Sequence, residues 1–153
     1  MSWSWIVSVS IVVMLAYFVL DNHADLYPWN NLITSQLAST LAAVIPFGLY
    51  AVAFALGIRW LMVVGAVHSY AWLALQIRQW WIPYLFGPTA LHREFGWYVT
   101  HGYDRTIKIL PSIDDRPIPD AQHLVLQALS LVVAIAATVA VLRRGVDAEV
   151  VSN

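Results

Sequence analysis

Cysteine is absent from the 153-residue chain, and charged side chains make up only 11% of it. The absence of cysteine excludes disulfides, cysteine nucleophiles and thiolate metal ligands. A soluble domain carries about 25% charged residues, so a chain with this little charge cannot cover a water-facing surface. The composition therefore predicts an integral membrane protein surrounded by a lipid bilayer.

Familiar catalytic and nucleotide-binding motifs are also missing. The sequence has no GxSxG nucleophile elbow, no HExxH zinc motif and no glycine-rich phosphate loop. The formal net charge is −1, which leaves no basic excess to attract nucleic acid. We therefore expect no nucleic-acid partner and no enzyme of these motif-bearing classes.

Four long apolar segments account for most of the chain. They cover approximately residues 3–20, 37–56, 60–80 and 124–142. A bilayer core about 30 Å thick requires roughly 20 helical residues, and backbone groups in lipid must pair within their own segment. We predict an all-α integral membrane protein, with residues 1–153 forming a single domain of four transmembrane helices in an antiparallel bundle.

Tryptophan is concentrated at the ends of these segments, as in the aromatic belt of membrane proteins. Six tryptophans follow this pattern: Trp3, Trp5, Trp29, Trp60, Trp80 and Trp81. In this interpretation Trp80 and Trp81 mark the point where the third helix leaves the hydrocarbon.

Basic residues near the segment ends predict the orientation. The short turn before Arg59 and the pair Arg143–Arg144 must share a side, whereas the first loop has no lysine or arginine. The positive-inside rule then places both termini in the cytoplasm. The outer loop 87–120 mixes aromatic and charged residues, which favours an interfacial helix, and Asp120 is placed to cap the fourth helix.

A polar stripe interrupts the third segment. At helical spacing one face carries His68, Ser69, Trp72, Gln76 and Gln79, and Arg78 lies beside them. His68 is about 13 Å along the helix from Arg59, near mid-membrane, where ionisable groups face other helices or a water-filled path. Two interpretations stay open, a ligand or proton pathway and a neutral imidazole bonded to a neighbouring hydroxyl. The hydroxyl candidates are Tyr17, Ser39, Thr40, Tyr50, Ser130 and Thr138.

A second group of polar residues lies at the predicted outer ends of the helices. Neutral imidazoles with carboxylates suit zinc or another divalent metal, although no spacing here matches a known motif. The candidate ligands are Asp21, His23, Asp25, His92, His101 and His123.

Three functions are compatible with these features. The leading hypothesis is a small membrane protein that binds or conducts a small solute or proton through the stripe centred on His68, as an oligomer. The alternatives are an accessory subunit of a larger membrane complex and a metal-dependent membrane enzyme with an outer His/Asp site.

Overall fold

The structure, a computed structural model, describes residues 2–33, 35–87 and 95–152, with side chains up to Arg144. Over these residues it is helical without a strand. The elements are α1 (Trp3–His23), α2 (Leu37–Leu56), α3 (Arg59–Phe86), α4 (Phe95–Thr100), a 3-10 turn (Tyr103–Arg105) and α5 (Ala121–Ser152).

Four of these helices are long and apolar enough to cross a membrane, namely α1, α2, α3 and the part of α5 up to Arg144. The predicted segments are confirmed as helices, but two bounds differ. α3 continues to Phe86 rather than ending near Trp80, because its last turns pack under the loop, where the Tyr84 hydroxyl donates to the Pro111 carbonyl (3.0 Å). α5 begins at Ala121, three residues earlier than expected, because Asp120 caps it.

All four long helices contribute to one apolar core. Its fully buried side chains include Ile11 and Met14 of α1, Phe47 of α2, Met62 of α3 and Val133 of α5. The outward faces are apolar as well. Large exposed side chains there include Val12, Ile45, Val67 and Leu142. Helices that are apolar on every side are typical of membrane spans.

Three arginines, Arg59, Arg143 and Arg144, lie at one end of the helix assembly, which is called the basic end below. Gly57 ends α2 with a φ of 73°, a left-handed conformation that favours glycine, and its carbonyl accepts a hydrogen bond from Arg144 (2.8 Å). The guanidinium of Arg143 lies 4.9 Å from the centre of the Trp3 ring. These contacts confirm that the α2–α3 turn and Arg143–Arg144 share a side.

The loop end lies where α1 finishes, and residues 95–120 fold over it. The Asn22 amide donates to the Thr40 hydroxyl in the first turn of α2 (3.0 Å), and the Tyr17 hydroxyl donates to the Gln122 carbonyl at the start of α5 (2.8 Å). The Tyr98 hydroxyl of α4 donates to the Gln79 carbonyl (2.5 Å). The Ile107 carbonyl of the outer loop accepts from the backbone nitrogen of Ala121 (2.9 Å), so this loop is a cap bonded to α3 and to the start of α5.

The aromatic-belt interpretation fails for Trp80. Its side chain is only 2% exposed, because the rings of Tyr98, Tyr103 and His123 cover it. Trp81 uses its indole nitrogen to donate to Gln127 of α5 (2.8 Å). Trp80 therefore packs against the cap and α5, and Trp81 is bonded to α5, whereas Trp60 near the basic end is 66% exposed.

Candidate functional site

His68 bonds to the neighbouring helix α2. Its Nδ1 lies 3.1 Å from the Tyr50 hydroxyl, and its ring stacks on Phe47 with centroids 5.2 Å apart. Gly65 permits this approach, since a Cβ there would lie 2.9 Å from Cγ of Tyr50. Tyr50 is one of the six hydroxyl partners that the sequence offered. Ser69, also in the stripe, is buried and donates to the Gly65 carbonyl of its own helix (2.7 Å).

The next part of the stripe points to other helices. The Gln76 amide donates to the Ser130 hydroxyl of α5 (2.9 Å). Trp72 packs edge-on against Phe18 of α1 and Phe47 of α2. Two buried atoms here, Gln76 Oε1 and Trp72 Nε1, have no hydrogen-bond partner among the described residues. One is an acceptor and the other a donor, and buried groups of this kind normally find a partner.

A cleft of about 450 Å³ lies beside these two residues, and it is called the inter-helix cleft below. All four long helices and the cap contribute to its walls. Its lining residues are Phe18, Asn22, Gln36, Ser39, Trp72, Leu75, Gln76, Arg78, Gln79, Trp80, Tyr98, Tyr103, His123 and Leu126. Four of the predicted stripe residues therefore line it, whereas His68 and Ser69 lie outside its lining.

Asp120 organises the loop end and is fully buried. Its Oδ1 lies 3.1 Å from the backbone nitrogen of His123, which confirms the predicted helix cap, and 2.5 Å from His123 Nδ1. Its Oδ2 accepts from the Thr106 hydroxyl (2.8 Å) and lies 3.7 Å from the Lys108 ammonium. The carboxylate therefore joins the outer loop to α5.

The surroundings of Asp120 shift two pKa values. Burial by itself would raise the pKa of Asp120, but His123, Lys108 and the Thr106 hydroxyl favour the carboxylate and hold that pKa below its usual range. Burial lowers the pKa of Lys108, although Asp120 opposes this effect. A charged Asp120 is therefore the form that fits this network.

The predicted metal ligands do not form one group. His23 Nε2 lies 3.1 Å from the Thr40 hydroxyl, and Asp25 is exposed. His101 stacks on Trp97 with centroids 4.0 Å apart. His92 falls outside the described residues. Within the described ranges, no three histidine, aspartate or glutamate side chains are placed so as to hold a metal ion.

Three of the predicted metal ligands nevertheless line one small polar cavity at the loop end, namely Asp21, His101 and His123. It is called the Asp21 cavity below. Its volume is about 30 Å³. The lining residues are Asp21, Asn22, Asn30, Asn31, Leu32, Gln36, His101, Tyr103, Gln122 and His123. It shares Asn22, Gln36, Tyr103 and His123 with the inter-helix cleft, so the two spaces are neighbours.

Sequence reasoning missed several lining residues. The sequence identified Tyr98 and Tyr103 only as aromatic residues of a loop. No sequence pattern predicted that they contact α3. Gln122 gave one weak signal, since it follows the predicted cap Asp120 inside an otherwise apolar helix start. No protein-family profile, curated protein or solved structure shows a significant match to this chain.

Proposed function

We propose that the chain is a multi-pass membrane protein whose four long helices form an antiparallel bundle in the bilayer, with both termini in the cytoplasm. Apolar side chains on the outward faces of all four helices support this placement. The arginines at the basic end, which include Arg59, Arg143 and Arg144, support the orientation.

We further propose that the protein binds a small amphipathic molecule in the inter-helix cleft. The observation that carries this proposal is the cleft itself, about 450 Å³ in volume and lined by aromatic, amide and guanidinium groups. Pockets for small molecules usually have volumes of roughly 300–1,000 Å³ and apolar walls with a few polar groups. The cleft volume lies within that range, and the walls of the cleft combine apolar and aromatic side chains with a similar number of polar ones.

The lining suggests the chemistry of the ligand. Trp72, Trp80 and Tyr103 offer aromatic walls for a flat apolar body. Gln76 and Gln79 offer amide groups for a polar head. The buried donor of Trp72 and acceptor of Gln76 lack partners among the described residues, so a polar head that reaches them would satisfy both. This proposal places the ligand beside Trp72, Gln76, Arg78 and Gln79, and a solute or proton pathway centred on His68 stays a prediction.

The experiment is to purify the full chain from its native membrane in mild detergent and to identify co-purified small molecules by mass spectrometry. Ser39→Trp places a large side chain into the cleft from an exposed position. We expect the native protein to retain a molecule and Ser39→Trp to lose at least about 90% of it, since a tenfold loss corresponds to only about 1.4 kcal/mol.

Leu41→Trp is the matched control, because Leu41 lies on the same helix, is 47% exposed and does not line the cleft. It should retain the molecule at the native level. A native protein that carries no molecule above the level of an unrelated membrane protein would contradict the proposal. Equal retention by both tryptophan variants would contradict it as well.

Oligomer formation and an accessory-subunit role stay predictions. Exposed apolar side chains such as Ile45, Val67 and Leu142 suit another helix as well as lipid. Mass measurement of the detergent-solubilised protein tests the first, and co-purification of other chains in fixed ratio tests the second.

A further inference from the structure

Two buried acceptor oxygens without partners line the Asp21 cavity. Asp21 is 9% exposed and its Oδ1 has no hydrogen-bond partner among the described residues. Gln122 is 2% exposed and its Oε1 has none either. Leaving a buried acceptor without a hydrogen bond destabilises the folded protein, and more so when the group is charged. A donor or a cation in the cavity would satisfy these oxygens.

The amide orientations around the cavity are fixed by their partners. The Gln122 amide nitrogen donates to Asp120 Oδ2 (3.3 Å), and a carboxylate can only accept, so Oε1 is the atom left over. The Asn31 nitrogen likewise donates to the Gly102 carbonyl (3.4 Å). Asn30 uses its nitrogen on the carbonyls of Asp21 and Ala24.

These amide nitrogens are therefore committed to other acceptors. Asn30 Oδ1 accepts from the backbone nitrogen of Leu26 (2.7 Å), whereas Gln122 Oε1 is left for the cavity. The imidazole of His123 is similarly engaged with Asp120. Oxygen ligands suit hard cations, whereas zinc prefers nitrogen and sulfur ligands. The arrangement thus differs from a zinc site.

Charge and size select among hard cations. Asp21 lines this cavity and makes no ion pair among the described residues, whereas the buried Asp120 is paired with Lys108 (3.7 Å). One negative charge balances one positive charge, and a divalent ion would leave a buried excess charge at a high desolvation cost. A volume of about 30 Å³ is close to the space of one water molecule and suits a small ion.

We infer that the Asp21 cavity is a binding site for a monovalent cation of the size of Na⁺, coordinated by Asp21 Oδ1 and Gln122 Oε1. Asp21 belongs to the end of α1 and Gln122 to the start of α5, so the ion would tie these helix ends together. This site is distinct from the proposed ligand in the inter-helix cleft.

The test measures thermal unfolding of the full chain in detergent while NaCl replaces choline chloride at constant ionic strength. A ligand that binds only the folded state raises the melting temperature with the logarithm of its concentration once that concentration exceeds Kd. We expect that rise with Na⁺, and a smaller rise with K⁺ because the cavity is small. ²³Na line broadening of the native protein gives a second reading that does not depend on unfolding.

Asp21→Asn removes the charge at nearly constant shape, and Gln122→Leu removes the second oxygen. We expect Asp21→Asn to weaken Na⁺ binding at least tenfold, because contacts to charged groups are stronger than contacts to neutral ones. Gln122→Leu should weaken binding less. Asp25→Asn is the control, because Asp25 is exposed nearby and does not line the cavity.

Three results would overturn the inference. The first is equal melting temperature and equal line width in NaCl and choline chloride, which would mean that the cavity holds water only. The second is an Na⁺ effect that survives unchanged in both cavity variants, and the third is an effect that Asp25→Asn abolishes as well. If Asp21→Asn does not fold, Gln122→Leu and the native line width decide the question.

Discussion

Asp120 Oδ1 lies 3.1 Å from the backbone nitrogen of His123 and 2.5 Å from the imidazole Nδ1 of the same residue. One oxygen therefore caps α5 and also orients the His123 ring, which covers Trp80. The centroids of these two rings are 3.9 Å apart. The other oxygen binds Thr106 of the outer loop. The start of α5, the loop and the last turns of α3 are consequently coupled through one carboxylate.

Removing that carboxylate should destabilise the protein strongly. For Asp120→Ala we expect a loss of about 3–5 kcal/mol in the free energy of unfolding, because it leaves buried partners uncompensated. Asp120→Asn should cost less, since asparagine is also a good N-cap. Chemical denaturation in detergent measures both. Asp114→Ala is the control, because the Asp114 side chain is 85% exposed, and an equally large loss there would contradict this role for Asp120.

Acidification should reveal the same group. The pKa of Asp120 in the folded protein is below its usual range, so the unfolded chain binds the proton more readily. The stabilisation is therefore complete above the ordinary carboxyl pKa of about 3.9 and is lost as the pH falls towards the folded value. We expect the melting temperature of the native protein to fall more steeply between pH 5 and 3 than that of Asp120→Asn. The difference in slope should correspond to the uptake of about one proton. Parallel profiles would show that Asp120 does not contribute.

Two glycines offer a matched comparison of helix packing. A Cβ at Gly65 would lie 2.9 Å from Cγ of Tyr50, whereas one at Gly48 would meet nothing within 4 Å. Overpacking costs typically about 1–3 kcal/mol, so Gly65→Ala should lower the melting temperature. Gly48→Ala should raise it or leave it unchanged, since alanine is favoured over glycine within a helix by about 0.5–1 kcal/mol. A stabilising Gly65→Ala would mean that α2 and α3 are further apart than described.

The bond between Tyr50 and His68 can be measured by a double-mutant cycle. With a separation of 3.1 Å, Tyr50→Phe and His68→Phe should couple by about 0.5–1.5 kcal/mol in the free energy of unfolding. Neither variant should change the amount of ligand retained in the inter-helix cleft, since neither residue lines it. Loss of the ligand in His68→Phe but not in Tyr50→Phe would favour the hypothesis of a pathway centred on His68.

The absence of cysteine allows a direct test of orientation, because any introduced thiol is unique. Asp25→Cys places a thiol at the loop end, and Arg59→Cys places one at the basic end. A membrane-impermeant maleimide should label the first in intact cells and the second only after permeabilisation. The unmodified chain is the blank. Labelling of both in intact cells would contradict a membrane-spanning arrangement, and the reverse pattern would invert the orientation.

Local features of the sequence determined the helices and much of their placement. Runs of apolar residues long enough to cross a bilayer predict helix because backbone groups in lipid have no other partner. The spacing of Arg59 and Arg143–Arg144 predicted a shared end, and the structure confirms it through Arg144 and Gly57. Asp120 was recognisable as a cap because capping depends on the three residues that follow it.

The tertiary structure alone decided how the loop end is built. Trp80 is buried rather than in contact with lipid, because the outer loop folds back over α3, and no periodicity in the sequence encodes that path. Asp21 and Gln122 line one cavity although they are far apart in the chain, because α1 and α5 are neighbours and Asp120 holds the Gln122 amide. Such convergence depends on helix packing and on the direction of individual hydrogen bonds, which hydropathy does not record.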